Sequence, residues 1–227
     1  MALTINFFAV SGTSLNLLTL LGKIIMGTTE RRLREKEKVR EAILGTAWNM
    51  VKEEGWQSLS IRKIADAIEY SVPVIYDHFE NKEAILSEFA GTGFRLLTKK
   101  IQQAYEKNDS PADQLKAMAG AYWTFSLRNR AYYQLMYGVG MACCEGEKCR
   151  DDKNGFDHFI MEAIKNIIKK SKQPTADPCL KYYTFWSILH GLVSIRIMGN
   201  SPVSAQLDKL VLEDAIDGFI KNLSYPA

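Results

Sequence analysis

Three stretches of the chain carry side chains able to do chemistry. The first, CCEGEKC (143–149), places thiols at Cys143, Cys144 and Cys149, with His158 downstream. Zinc-binding thiols usually come in pairs about two to four residues apart, which lets both face one ion. Two adjacent cysteines followed by a gap of four residues do not match that spacing. Reduced loop or core cysteines are the simpler reading, with metal or thiol sensing as the alternative. The second, RDDKNG (150–155), would need oxygen ligands at the first and twelfth positions to hold calcium, and those positions are Arg150 and Met161. The third runs from residue 60 to 82 and offers hydroxyls, cations and an imidazole at Ser60, Arg62, Lys63, Ser71, Tyr76, His78 and Lys82, with apolar Val72 and Pro73 among them. Such groups hold phosphates and touch base edges rather than break bonds. No metalloprotease helix, nucleophile elbow or phosphate-binding loop accompanies them, so an enzyme is the weaker class and no cofactor is implied.

The elements that must position these groups are helical. From Lys36 to Glu54, Val39, Ile43, Ala47, Met50 and Val51 recur at steps of three and four between charged residues, and Gly55 suits the left-handed residue that ends a helix. Ser60 can cap a short helix whose stripe is Ile61, Ile64, Ala65 and Ile68. Glu69, Tyr70 and Ser71 connect it to SVPVIYDHF (71–79), where Ser71 can cap and Pro73 is tolerated because first-turn amides lack intrahelical acceptors. Asn81 can cap a fourth helix with Ile85, Phe89 and Leu96 inward. No segment alternates with a period of two, so the expected class is all-α, with no internal repeat.

Two short helices joined by three residues and braced by a longer one form the pattern of a helix-turn-helix unit, whose second helix enters the major groove of DNA. Tyr70, Ile75 and Phe79 are expected to face inward, and Val72, Pro73, Tyr76 and Asp77 outward. An outward Tyr76 can donate to a phosphate, and Lys82 combines a charge with a helix N-terminus. His78 is open between a phosphate contact and an ordinary interhelix histidine. The six basic side chains against two acidic ones in RRLREKEKVR (31–40) add local positive charge, whereas residues 28–99 are neutral, with 12 of each sign.

Residues 36 to 90 resemble the DNA-binding domain of the tetracycline-repressor (TetR) family, through SLSIRKIADAI, VIYDHF and ENKEAIL. The resemblance implies Ser60, Arg62, Lys63, Ser71, Val72, Pro73, Tyr76, His78 and Lys82 as the residues on a double-stranded DNA operator. Pro73 and Val74 stand where the family usually has a small residue and then Thr or Ser, and Glu69 replaces the usual glycine of the turn. With hydrogen-bonding groups lost there, Val72 and Pro73 are expected to touch thymine methyls.

AYWTFSLRNRAYYQLMYG (121–138) and FWSILHGL (185–192) resemble the C-terminal domain of a TetR subgroup named for Trp, His and Gly, matched by Trp186, His190 and Gly191. The resemblance implies a cavity for a small-molecule effector, with Tyr122, Phe125, Tyr133, Met136, Tyr137, Met141, Trp186 and His190 as its wall; ordinary core packing is the alternative for many of them. The last two helices, about 178–199 and 205–222, carry more apolar residues than one inward face needs, and the family's dimeric four-helix bundle would account for the excess. Leu207, Leu210, Val211, Ile216, Phe219 and Ile220 are expected on one side.

The bulk numbers bound the rest. The 227 residues, 47% hydrophobic, suffice for one large helical domain or two modest ones, and a net charge of +3 does not by itself argue for a polyanionic partner. The expected organisation is a 1–27 extension, a 28–80 helix-turn-helix domain and an 81–227 ligand-binding and dimerisation domain. The uncharged stretch 3–22 is rich in Ser, Thr, Asn and Gly. It is read as a dispensable extension ahead of Met26, with a packed helix or a membrane anchor as alternatives. Four unpatterned cysteines point to a reducing cytosol. The expected function is a homodimeric DNA-binding regulator, a repressor released by an apolar or aromatic ligand. A helical adaptor for proteins is the rival outside enzymes.

Overall fold

A computed structural model describes residues 13–138, 155–171, 176–199 and 204–224. Among these the elements are α1 (Thr13–Glu54), a 3-10 turn (Trp56–Ser58), α2 (Ile61–Ala67), α3 (Val72–Tyr76), α4 (Lys82–Glu106), α5 (Pro111–Arg128) and α6 (Arg130–Tyr137). They continue with α7 (Asp157–Lys170), α8 (Pro178–Ile197) and α9 (Ala205–Ser224), and the described residues contain no strand. The expected all-α class holds.

The chain divides into two compact units, one of Met1–Asn49 with Ile61–His78, the other of Met50–Ser60 with Phe79–Ala227. In the first, Ile43 and Ala47 of α1, Ile64 and Ala65 of α2 and Ile75 of α3 are wholly buried. α1 begins at Thr13, well before the expected Lys36. The reason is visible in burial. Residues 31–38 are exposed on every side, so no apolar stripe marks that part of the helix. There the backbone relies on spaced charge pairs such as Glu30–Arg34 (3.9 Å) and Glu35–Lys38 (3.0 Å). No helix of the described residues is long and apolar enough to cross a membrane.

In the second unit α4 packs on α5 and α6, and α7, α8 and α9 close the far side of one core. Asn81 caps α4 as expected, its side chain accepting from the amide of Ala84 at 2.8 Å, and Ser110 and Asp177 cap α5 and α8 in the same way. Two inward assignments need correction. On α4 the buried positions are Ile85, Phe89, Phe94, Leu97 and Ile101, and Leu96, one residue out of that phase, is exposed. On α9, Leu212, Ile216, Phe219, Ile220 and Leu223 face the core while Leu207, Leu210 and Val211 face outward, so the helix has two apolar sides instead of one.

Candidate functional site

The turn between α2 and α3 fixes how the candidate DNA-contacting side chains are displayed. The amide of Tyr70 donates to the carbonyl of Ala65 (3.0 Å) and that of Glu69 to Asp66 (3.3 Å). This pair of bonds is the Schellman closure of a helix C-terminus, which requires its central residue to be left-handed. That residue is Glu69, with φ of 60°, and it is the one non-glycine with positive φ among the described residues. The same closure explains why Tyr70, expected inward, is 47% exposed: it follows the left-handed residue and the chain there turns away from the core. Ser71 occupies the N-cap position of α3 with extended backbone, but its side chain makes no capping bond. The Val74 amide instead donates to the Ser71 carbonyl at 3.0 Å.

α3 buries Ile75 and exposes Tyr76 to 53%. Pro73, Asp77 and Ser71 are exposed and Val72 and Val74 half-buried. Arg62 and Lys63 project from α2 into solvent, whereas Ser60 and Lys82 are partly covered. Lys82 opens α4 immediately after its cap, where unpaired amides add to its charge. His78 is half-buried, and its Nδ1 is enclosed without a hydrogen-bond partner. Burial, and then Lys36 and Arg40, push its pKa below the usual value of 6.5 against the opposing pull of Asp77 and Glu37. His78 is therefore mainly neutral near pH 7 and offers a phosphate no charge.

In the second unit, five of the eight expected ligand-wall residues form one ring cluster. Trp186 and His190, four residues apart on α8, stack at 5.3 Å with planes 13° apart. Tyr137 meets His190 edge-on at 4.9 Å, and Tyr122 meets Trp186 edge-on at 5.6 Å. The Tyr133 hydroxyl lies 2.7 Å from Nδ1 of His190 and 2.9 Å from the Tyr122 hydroxyl. Burial raises the pKa of Tyr122, Tyr133 and Tyr137, so all three are neutral phenols. Phe125 and Met136 are buried in the same core. Met136 sits on Gly93 of α4, where an added Cβ would come within 2.6 Å of its sulfur. Met141 lies outside the described residues, as do Cys143, Cys144 and Cys149.

The sequence reading missed Ser194, whose buried hydroxyl is beside Tyr133. The step of four through Trp186, His190 and Ser194 was the available signal. It also missed Trp56, whose indole N–H donates to the carbonyl of Ala131 at 2.8 Å and thereby pins the start of α6. A separate groove of about 560 Å³ runs between α5 and α9, floored by Ala119, Trp123, Leu212 and Ile216. It is bridged by the Lys116–Asp217 pair at 2.7 Å, and no expected ligand-wall residue lines it.

A small helical unit displaying a short exposed helix after a Schellman turn, joined to an all-helical unit with a polar aromatic interior, defines the helix-turn-helix class of regulators with a separate C-terminal domain. The comparisons agree. Residues 43–89 match the model for bacterial regulatory proteins of the tetR family, and residues 115–219 match a tetracyclin repressor-like C-terminal domain. The chain belongs to the TetR family of transcriptional regulators. It is 24% identical over 196 residues to the uncharacterized HTH-type transcriptional regulator YuxN of Bacillus subtilis (strain 168), a match covering 85% of this chain and 65% of that protein. A solved protein of unknown function from Rhodococcus sp. RHA1 shares the fold with a TM-score of 0.69 at 23% identity, over 82% of this chain and 95% of that one. AibR, solved in complex with isovaleryl coenzyme A and operator DNA, shares it with a TM-score of 0.55 at 21% identity, over 82% of this chain and 98% of that one.

Proposed function

We propose that the protein is a cytoplasmic repressor that binds a near-palindromic operator as a homodimer and leaves it when a small apolar or aromatic ligand enters the C-terminal unit. The observation that carries this reading is the outer face of α3, with Tyr76 projecting 53% exposed beside Ser71, Val72 and Pro73. Residues 28–80 serve as the DNA-binding domain and 81–227 as the ligand-binding and dimerisation domain. The Tyr76 hydroxyl donates to a phosphate, Ser71, whose hydroxyl does not cap its own helix, donates to another, and Arg62, Lys63 and Lys82 supply charge. Ser60 and His78 are the less exposed members of this set. Val72 and Pro73 carry the sequence preference through thymine methyls.

Dimerisation is supported by the apolar residues that α8 and α9 leave in solvent, among them Leu180, Tyr183, Ile195, Met198, Leu207, Leu210 and Val211. A four-helix bundle of these two helices with their symmetry mates would space the two α3 helices about one turn of DNA apart, roughly 34 to 36 Å. The Trp186, His190 and Gly191 signature places the ligand at the ring cluster, and the subgroup named for it is the closest description of this C-terminal domain. A ligand coupling of about 1 to 3 kcal/mol lowers operator affinity roughly 5- to 150-fold.

The test is binding of the purified full chain to genomic DNA fragments, with the bound fragments recovered and sequenced. Tyr76→Phe should weaken every sequence alike, while replacing Val72 should change which sequence is preferred. Affinity that neither depends on salt nor distinguishes sequences would leave a helical small-molecule-binding protein in place of the regulator.

A further inference from the structure

From the hydrogen-bond accounting of the ring cluster, and resting on the assignment of the ligand site above, we infer that the ligand is an uncharged aromatic molecule bearing a carbonyl-type acceptor, received by the hydroxyl of Tyr137. The three phenols and one imidazole do not satisfy one another. With a neutral imidazole protonated at Nε2, the Tyr133 hydroxyl donates to Nδ1 of His190 over 2.7 Å, and the Tyr122 hydroxyl donates to the Tyr133 oxygen over 2.9 Å. Nδ1 has one lone pair, so the longer 3.4 Å approach of the Tyr122 hydroxyl to it adds no further acceptor. The Tyr137 hydroxyl is enclosed and makes no hydrogen bond of standard geometry, although its ring lies 4.8 Å from Tyr133 and 5.4 Å from Trp186. A buried donor without an acceptor is costly, and a ligand oxygen removes that cost.

The surrounding charges define the rest of the ligand. The nearest carboxylate, Asp157, already accepts from the Tyr182 hydroxyl at 2.6 Å, and no Lys or Arg belongs to the cluster. A ligand carboxylate or ammonium would be desolvated there without a counter-charge. Tyr137, Trp186 and His190 are each partly accessible, so a flat ring can reach the stack of Trp186 on His190 from the side where the Tyr137 ring opens to solvent. Aromatic faces at about 5 Å favour such a planar guest.

Isothermal titration of the full chain with acetophenone, ethylbenzene and benzoate tests this directly. Acetophenone and ethylbenzene share a shape and differ in the acceptor oxygen, and benzoate adds charge. The ketone should bind roughly threefold to tenfold more tightly than ethylbenzene, the range expected for one net hydrogen bond, and benzoate at least about tenfold more weakly than the ketone. Tyr137→Phe should erase the preference for the ketone over ethylbenzene. Should benzoate bind as well as the ketone, should the wild-type preference for the ketone be missing, or should none of the three bind, the inference fails. Operator binding is read separately by fluorescence anisotropy. A ketone that binds through Tyr137 yet leaves DNA affinity unchanged upholds the ligand chemistry and removes only the ligand-relieved repression proposed above.

Discussion

Glu69 holds a backbone conformation that its side chain disfavours. At φ of 60° its Cβ crowds the following carbonyl, a cost of about 1 to 2 kcal/mol for an L-residue. Glu69→Gly removes that crowding but gives the unfolded chain more freedom, so a net gain of about 0.5 to 1 kcal/mol is expected in denaturant unfolding. His78 makes a second residue-scale prediction. Its pKa in the folded chain lies below 6.5, so the unfolded chain takes up the proton first as pH falls. The stability contributed by the neutral ring is therefore full above 6.5 and is lost progressively as pH drops through 6.5 toward the lowered value. Comparing thermal unfolding between about pH 7.5 and about pH 5.5, the wild type should lose more stability than His78→Gln. Equal losses would show that the lowered pKa has no bearing on folding.

Among the elements, α6 has the most constrained placement. Its first turn accepts the Trp56 indole N–H through Ala131, its middle presses Met136 onto Gly93, and its Tyr133 and Tyr137 enter the ring cluster. Gly93→Ala offers α4 up to about 1 kcal/mol of helix propensity, yet its Cβ would meet Met136 Sδ at 2.6 Å and Tyr132 Cβ at 3.2 Å. Overpacking of this kind typically costs about 1 to 3 kcal/mol, so a net loss of about 1 kcal/mol is expected, with α6 displaced and ligand affinity reduced. Calorimetric unfolding checks the first and titration with acetophenone the second. By contrast, Gly191 and Gly218 on α8 and α9 have open space where a Cβ would stand, which is compatible with either solvent or a close helix from a second copy.

For the molecule as a whole, the decisive property is the state of association. A single chain leaves Leu210 54% exposed on α9 and Met198 56% exposed at the end of α8. Leu210→Glu should convert a dimer to a monomer in analytical ultracentrifugation while leaving helical content unchanged, because the same residue touches no core position of its own chain. A variant that sediments as the wild type would place the dimer surface elsewhere. Loss of the dimer should also weaken operator binding sharply, since two half-sites are then no longer engaged together.

The sequence determined the class, the helix-turn-helix segment and most of the core, because an apolar stripe at helical spacing exists only where one side of a helix is buried. Ile43, Ala47, Ile64 and Ile75 were legible for that reason, and all are fully buried. The charged first half of α1 left no such trace, since a helix exposed on all sides imposes no pattern. The aromatic residues of the C-terminal half were visible as a group, but not which of their hydroxyls are satisfied by one another. That depends on ring positions brought together from α5, α6 and α8, residues far apart in the chain. Tertiary structure alone also decided that Tyr70 turns outward and that α9 has two apolar sides. A left-handed residue and a second apolar face change direction in space without changing the spacing of residues along the chain.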